Sequence, residues 1–335
     1  MITLKDVARE AGVSLSTASR AFRENVYISP EKREHILEIA AQIGYTPNLT
    51  ARSLREDRSK TIGMMLLSEM DFLECYVEQI LHQYGYRLLI VYTNGKREYE
   101  RGCLESLISS RVDGMICFFS NYANRDLIQQ CEKNNIPILQ LFGQQYTGLH
   151  TAIIDDNKLS YDITRMLIDR GHRSILFVEH FLDSEQQANL VNEEYYGYAR
   201  AMKEIGTEVK QEDFFLLPHG NRDGYETLRE RVLREKPTAV IAGVTDITIA
   251  FLKIFRDLNM EVGKDVSLIA YDNNPWCDYL GLAALDHNFE MIGEYCADAI
   301  VNLVSGQTEK VPMMKKFISK FIARPSMNFY GAFDE

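Results

Sequence analysis

The stretch Thr3-Leu-Lys-Asp-Val-Ala-Arg-Glu-Ala-Gly-Val-Ser-Leu-Ser-Thr-Ala-Ser-Arg-Ala-Phe22 decides how the N-terminal end of this chain folds. Leu4, Val7, Ala8 and Ala11 recur at helical spacing, which predicts a short amphipathic helix over 4–11. Thr3 is placed to cap it, with Asp6 three residues on completing a weaker form of the capping box. Gly12 offers the left-handed conformation a sharp turn needs, Val13 plugs the angle between helices, and Ser14 caps a second helix over 15–22. Two short helices joined by a three-residue turn containing glycine are a helix-turn-helix, whose second helix enters the major groove of DNA.

A third helix follows. Ser29 is its cap, Pro30 takes the first position, where a missing N–H costs nothing, and Glu31 faces the positive helix end. Ile36, Leu37, Ala40 and Ile43 line one face, and Gly44 stops the helix. The expected core of the three helices is Val7, Ala11, Val13, Ala18, Phe22, Leu37 and Ala40. A three-helix bundle without a DNA role shares this pattern, so the motif alone leaves that alternative open.

The continuation narrows it. Tyr45-Thr-Pro-Asn48-Leu-Thr-Ala51-Arg52-Ser53-Leu54-Arg55, followed by Ser59-Lys-Thr-Ile-Gly63, resembles the hinge of the LacI–GalR family of bacterial regulators. Thr3-Leu-Lys-Asp-Val-Ala with Ala11-Gly-Val-Ser14 resembles that family's opening, and the likeness runs on more loosely to about Arg324.

The resemblance implies roles for individual residues. Leu15 and Ser16, at the start of the recognition helix, match the positions with which family members choose their operators. Leu15 suits a thymine methyl, and Ser16 suits either partner of a base pair. Arg20 is placed for a guanine, while Ser14, Thr17 and Ser19 are placed for phosphates. Arg23 departs from the family, where asparagine is common, and adds a phosphate contact; Leu4, Ser29 and Tyr45 complete the expected set. Eight residues, Asn48–Arg55, are too few for a helix standing alone in water. In the family two such segments fold together on DNA, with Leu54 as the wedge in the minor groove and Ala51 small enough for close approach.

At 335 residues, 46% hydrophobic and 25% charged, the chain has an ordinary globular composition. Met1 leads directly into a capped helix, and the apolar runs are far short of a membrane span, so no signal peptide and a cytoplasmic location are expected. Six scattered cysteines without a Cys-x-x-Cys pair read as buried thiols, with no metal and no disulfide. The net charge of −11 divides unevenly. Residues 1–60 hold ten Lys and Arg against eight Asp and Glu, so a head of +2 leaves −13 on the rest. A mildly basic head on an acidic body keeps the body off phosphates, and the small excess calls for a partner copy.

From Thr61 strands and helices alternate. Strands are expected at 61–67, 87–93, 114–119, 137–141 and 152–155, then at 174–178, 214–217, 239–244, 267–271 and 282–286, with helices between them and a last one at 290–305. That predicts parallel sheets with helices on both faces. It is similar to the periplasmic-binding-protein fold, two Rossmann-like lobes with ligand at the carboxyl ends of the strands. The expected division is a helix-turn-helix domain at 1–46, a hinge at 47–60 and a two-lobed effector-binding and dimerisation domain at 61–335. Lobe one takes about 61–154 and 288–316, and lobe two about 155–287 and 317–328.

No Gly-x-Gly-x-x-Gly, Walker loop, His-Glu-x-x-His or nucleophile elbow appears, so no catalytic residue, cofactor or metal is expected. By position in the family, Asp156, Asp246, Asp272 and His287 are the expected effector contacts, with Trp276 stacking on a sugar face or closing the cleft mouth. Each acid has an alternative reading as a helix cap, Asp246 before Ile247 above all. Three departures bear on the ligand: the loop 67–72 is about four residues short and lacks the family's aromatic run, Thr245-Asp246 replaces an Asn-Asp pair, and Glu194 stands where the family carries an arginine three residues before Gly197. So acidic a cleft disfavours a phosphate or carboxylate. The expectation is a dimeric repressor of a carbohydrate-utilisation operon, bound to a near-palindromic operator and controlled by a neutral sugar, with a cationic compound as the other ligand that such a cleft allows. The alternatives are a sugar-binding protein with no regulatory role and a regulator that has lost its effector.

Overall fold

The computed structural model describes residues 2–22, 26–45, 58–68, 72–94, 96–120, 122–143, 146–181, 193–210, 214–218, 224–307 and 312–327. The chain divides into two compact units, Met1–Ser59 and Lys60–Glu335.

The first unit contains α1 (Leu4–Glu10), α2 (Leu15–Ala21) and α3 (Pro30–Gln42). The Asp6 carboxylate accepts from both the Thr3 N–H (2.9 Å) and the Thr3 hydroxyl (2.7 Å), fixing the start of α1. Gly12, at φ 63°, makes the turn in a conformation that a side chain disfavours. Ser14 Oγ accepts the Thr17 N–H at 3.1 Å and caps α2. Ser29 holds the cap position of α3 without a side-chain hydrogen bond, and Pro30 alone preorganises that start. Val7, Ala11, Ala21, Ile36 and Ala40 form the buried cluster, with Val13, Phe22 and Tyr45 packed against it. One expectation is corrected here. Leu37 is 40% exposed, and its neighbour Ile36 fills the core instead, because the two are about 100° apart around the helix.

The second unit is two six-stranded sheets built to one plan. The first runs β11 (Met314–Phe317), β5 (His150–Ile154), β4 (Ile138–Leu141), β3 (Gly114–Phe118), β1 (Thr61–Leu66), β2 (Arg87–Tyr92), all parallel. The second runs β12 (Lys320–Ile322), β10 (Ala283–Asp286), β9 (Ser267–Ala270), β8 (Ala239–Ala242), β6 (Ile175–Phe181), β7 (Phe215–Pro218), parallel except for the antiparallel β12. Alternation along each strand feeds a core on either face. Ile62, Met64 and Leu66 enter one cluster of the first sheet while Met65 enters the other. Leu176 and Val178 enter one cluster of the second sheet, and Ile175 and Phe177 the other.

Helices α4 (Leu73–Gln83), α5 (Arg97–Ser109) and α6 (Arg125–Lys133) belong to the first half. Helices α7 (Asp156–Asp169), α8 (Glu193–Lys203), α9 (Gly224–Glu235), α10 (Thr245–Asp257) and the short α11 (Pro275–Tyr279) belong to the second. Helix α12 (Phe289–Ser305) returns to the first sheet, where Ile292, Cys296, Ala297 and Ile300 join its core. It lies so close to α4 that a Cβ at Gly293 would come within 2.7 Å of Tyr76 Cβ. The chain passes between the sheets three times: after β5, after β10 and between β11 and β12. The alternation expected from sequence omits α11, β11 and β12. These are too short to carry a periodic signal, and β11 has three exposed residues of four. Of the cysteines, Cys117, Cys131, Cys277 and Cys296 are buried, while Cys75 is exposed, contrary to the uniform burial expected.

Candidate functional site

Two surfaces carry the candidate residues. In the first unit, Ala18 and Ala21 are buried and pin α2 to the core, which turns its opposite side outward. Leu15 is 37% exposed, Ser14, Ser16 and Arg20 are exposed, and Thr17 and Ser19 are half-buried. Ser14 Oγ lies 2.8 Å from both Ser16 Oγ and Thr17 Oγ1, so the start of α2 presents a linked set of hydroxyls beside one apolar side chain. An isobutyl group and hydroxyls at a helix start, with a guanidinium one turn on, suit the methyls, base edges and phosphates of a DNA groove. Leu4 and Ser29 are half-buried. Tyr45 packs edge-on against Phe22 (5.4 Å between centroids), so its ring belongs to the core's rim. Arg23, Asn48, Ala51 and Leu54 lie outside the described residues.

The second surface is a cavity of about 270 Å³ to which both halves of the body contribute. Phe72 and Tyr76 line it from the first half, and Asn273, Asn274 and Pro275 from the second. Asp286, His287, Asn288, Phe289 and Glu290 line it from the connection between β10 and α12. Of the effector contacts expected from sequence, His287 is in this lining. Its ring is 4% exposed and fully engaged. Nε2 lies 2.7 Å from the Tyr271 carbonyl, which can only accept, so Nε2 carries the proton and Nδ1 accepts from the Ser319 hydroxyl at 2.6 Å. Burial lowers its pKa to about 4, so the ring is neutral and its 3.6 Å approach to Asp272 is no ion pair. His287 thereby ties the ends of β9 and β10 to the β11–β12 connection.

Asp156 and Glu194, both half-buried, interact with each other in the second half but are not in the cavity lining. Tyr271 Oη donates to Asp156 Oδ1 at 3.3 Å. Burial, then the Glu194 and Glu179 carboxylates, push the Asp156 carboxyl well above its ordinary range, while the Tyr271 bond pulls it down. Burial and the same three acids also raise the Tyr271 phenol. Asp246 is corrected in one respect. It sits inside the first turn of α10, not before it, and its Oδ1 accepts the Ile247 N–H at 2.9 Å. Trp276 is half-buried against the second half's core, next to the cavity-lining Pro275.

Sequence reasoning did not single out Phe72, Tyr76, Asn273, Asn274, Asp286, Glu290, Glu179 or Tyr271. Phe72 carried one legible signal, an apolar aromatic just before a helix. The structure finds it 57% exposed with a left-handed backbone (φ 70°). The others become neighbours only when distant strand ends converge.

Comparison with known proteins follows this division. Residues 3–48 match the family described as bacterial regulatory proteins, lacI family, and residues 70–320 match periplasmic binding proteins and sugar binding domain of LacI family. The HTH-type transcriptional regulator RegA of Clostridium saccharobutylicum is 31% identical over 278 residues, covering 81% of this chain and 82% of that protein. The HTH-type transcriptional repressor PurR of Glaesserella parasuis is 27% identical over 342 residues, covering 98% of each. Among solved structures, the Lac repressor dimer bound to operator and the anti-inducer ONPF superposes with a TM-score of 0.79 at 21% identity, covering 98% of this chain and 99% of that one.

Proposed function

This chain belongs to the LacI family of bacterial regulatory proteins and is a DNA-binding transcription regulator, not an enzyme; we propose that it acts as a dimeric repressor whose operator affinity is set by a small ligand between the lobes of its body. The observation that carries the proposal is the outward face of α2, where Leu15, Ser16 and Arg20 stand free of the head's own core. One head of charge +2 has little affinity for DNA by itself. Two heads on a twofold protein match a near-palindromic site, with bases read by Leu15, Ser16 and Arg20 and phosphates held by Ser14, Thr17, Ser19 and Arg23. The segment 47–60 is assigned as the hinge, with Leu54 of both copies wedging the minor groove. We assign the protein to the cytoplasm, where a DNA-binding regulator of a bacterial family would act; no helix among the described residues is long and apolar enough to cross a membrane.

For the ligand, the support is the cavity shared by the two halves and the match of residues 70–320 to a sugar-binding family. A ligand controls the head only through different affinity for two arrangements of the lobes, typically a coupling of about 1–3 kcal/mol. Asp156, Glu194, Asp246, Asp272, Trp276 and His287 are proposed as the groups that sense it, His287 through its grip on three connections.

The test begins by selecting a duplex that the purified protein prefers from a random pool. Binding to that duplex should fall by about 10³–10⁵ between 50 and 200 mM salt if six to ten phosphates are neutralised. Exchanging Leu15 and Ser16 for other residues should change which duplex is selected. A selection that returns no symmetric site, or one indifferent to those two positions, would sink the reading. The hinge assignment fails if Leu54→Ala leaves DNA bending and affinity as they were.

A further inference from the structure

The cavity between the lobes has a charge balance that narrows what it holds, and the narrowing rests on reading the body as ligand-controlled. Its walls carry the carboxylates of Asp286 and Glu290, and among the described residues no lysine or arginine lines it. His287 is present as a neutral ring. Arg324 reaches toward the lining by donating to Asn273 Oδ1, but it is also bound to Asp278 and to the Leu282 carbonyl, so its charge is committed outside. Lys316 is likewise paired, with Asp155 at 3.2 Å.

Behind His287 lie further acidic side chains. Tyr271, which receives His287 on its carbonyl, leads through its hydroxyl to Asp156, and Glu194 and Glu179 stand close enough to raise both groups. Glu290 lies in the first turn of α12, where its charge opposes the positive helix end that would otherwise draw a phosphate. The first half answers this wall with aromatic faces, Phe72 more than half exposed and Tyr76 beside it. Carboxylates opposite aromatic rings are the two kinds of group that attract an ammonium. A volume of about 270 Å³ is at the small end of ligand cavities, roughly 300–1,000 Å³, and suits a monosaccharide-sized molecule.

We propose that the inter-lobe cavity takes a cationic effector, a small hydroxylated primary amine of the amino-sugar type, with its ammonium between the Asp286 and Glu290 carboxylates and the Phe72 ring. Glu290 and Phe72 are then specificity-determining residues.

The experiment uses the full chain and calorimetric titration. Glucosamine is paired with glucose and galactosamine with galactose, and glucosamine 6-phosphate is included as the anion-bearing control. The expected result is that one amine binds at least about tenfold more tightly than its hydroxyl counterpart, with the phosphate weaker than either. Glu290→Gln and Phe72→Leu should each shrink that ratio while leaving the weak affinity for the hydroxyl counterpart in place. Equal affinity for amine and hydroxyl, tightest binding of the phosphate, or no heat with either amine would each overturn the proposal. Binding of the selected duplex by the same preparation is scored separately. Intact DNA binding with a failed amine preference removes this inference alone, whereas absent DNA binding removes the repressor reading whatever the titration shows.

Discussion

In the N-terminal unit, five buried side chains form the core cluster and the candidate contact face is one side of a seven-residue helix. In the body, one cluster of the second lobe alone gathers sixteen buried residues, and the cavity is made where separate strand and helix ends converge. The small unit exposes its chemistry directly and has little stability to spare. The large one can carry acids such as Asp156 and Glu194 in surroundings that raise their carboxyl pKa and so disfavour their charge, because its cores supply the surplus.

The largest effect should come from equal cuts in the two cores. Ile36→Ala and Ile254→Ala each remove a fully buried side chain, at a cost of about 2–5 kcal/mol. In the head that is enough to unfold it, so DNA binding should vanish while the body's thermal transition stays where it was. In the body the same loss should lower the melting temperature and leave the protein folded. Differential scanning calorimetry with a duplex-binding assay on both variants checks this. Loss of the body transition in Ile36→Ala would break the contrast.

Next is the pH response of the body. His287 has its folded pKa near 4 against about 6.5 unfolded. Between these values the unfolded chain holds a proton that the folded one does not, so stability rises with pH across the window. This contribution, about 3 kcal/mol, is complete above pH 6.5 and gone below about 4. Asp156 and Glu194, with raised carboxyl pKa values, work the other way and cost stability as pH rises past the ordinary carboxylate range. Urea unfolding of His287→Gln should therefore lose the stabilising slope between pH 4 and 6.5. An unchanged slope would mean that the ring is not held neutral.

The smallest effect belongs to the head's cap. Ser14→Ala removes the acceptor for the Thr17 N–H and should cost about 1 kcal/mol. A headpiece melt some degrees lower, with the preferred duplex unchanged, is the expected outcome. A changed preference would show that Ser14 reads bases as well as capping α2.

The contrast also explains what could be read beforehand. Thr3, Asp6, Gly12 and Ser14 act on residues three or four positions away, so the chain's local order already contains α1, the turn and α2. Leu37 and Ile36 were interchanged because a helix's apolar face is two residues wide and the partner helix chooses between them. In the body, strand alternation fixed which residues enter a core, but β11 and β12 are edge strands of four and three residues whose partners lie far away in sequence. The candidate cleft was less legible still. His287 and the acids could be named singly, yet nothing near His287 in the chain announces Ser319 or Tyr271 as its partners.

By itself, then, the sequence determined the elements, the capped two-helix motif, the alternation that builds two parallel sheets and the division of charge between head and body. These follow from interactions within about a turn or from counting residues. Only the tertiary structure decided that Phe72 and Tyr76 face Asp286 and Glu290 across one cavity, that His287 is neutral, and that Asp156, Glu179 and Glu194 share one field. Those properties depend on distances between groups tens to hundreds of residues apart and on the water excluded between them, which exist only after the two sheets have formed and met.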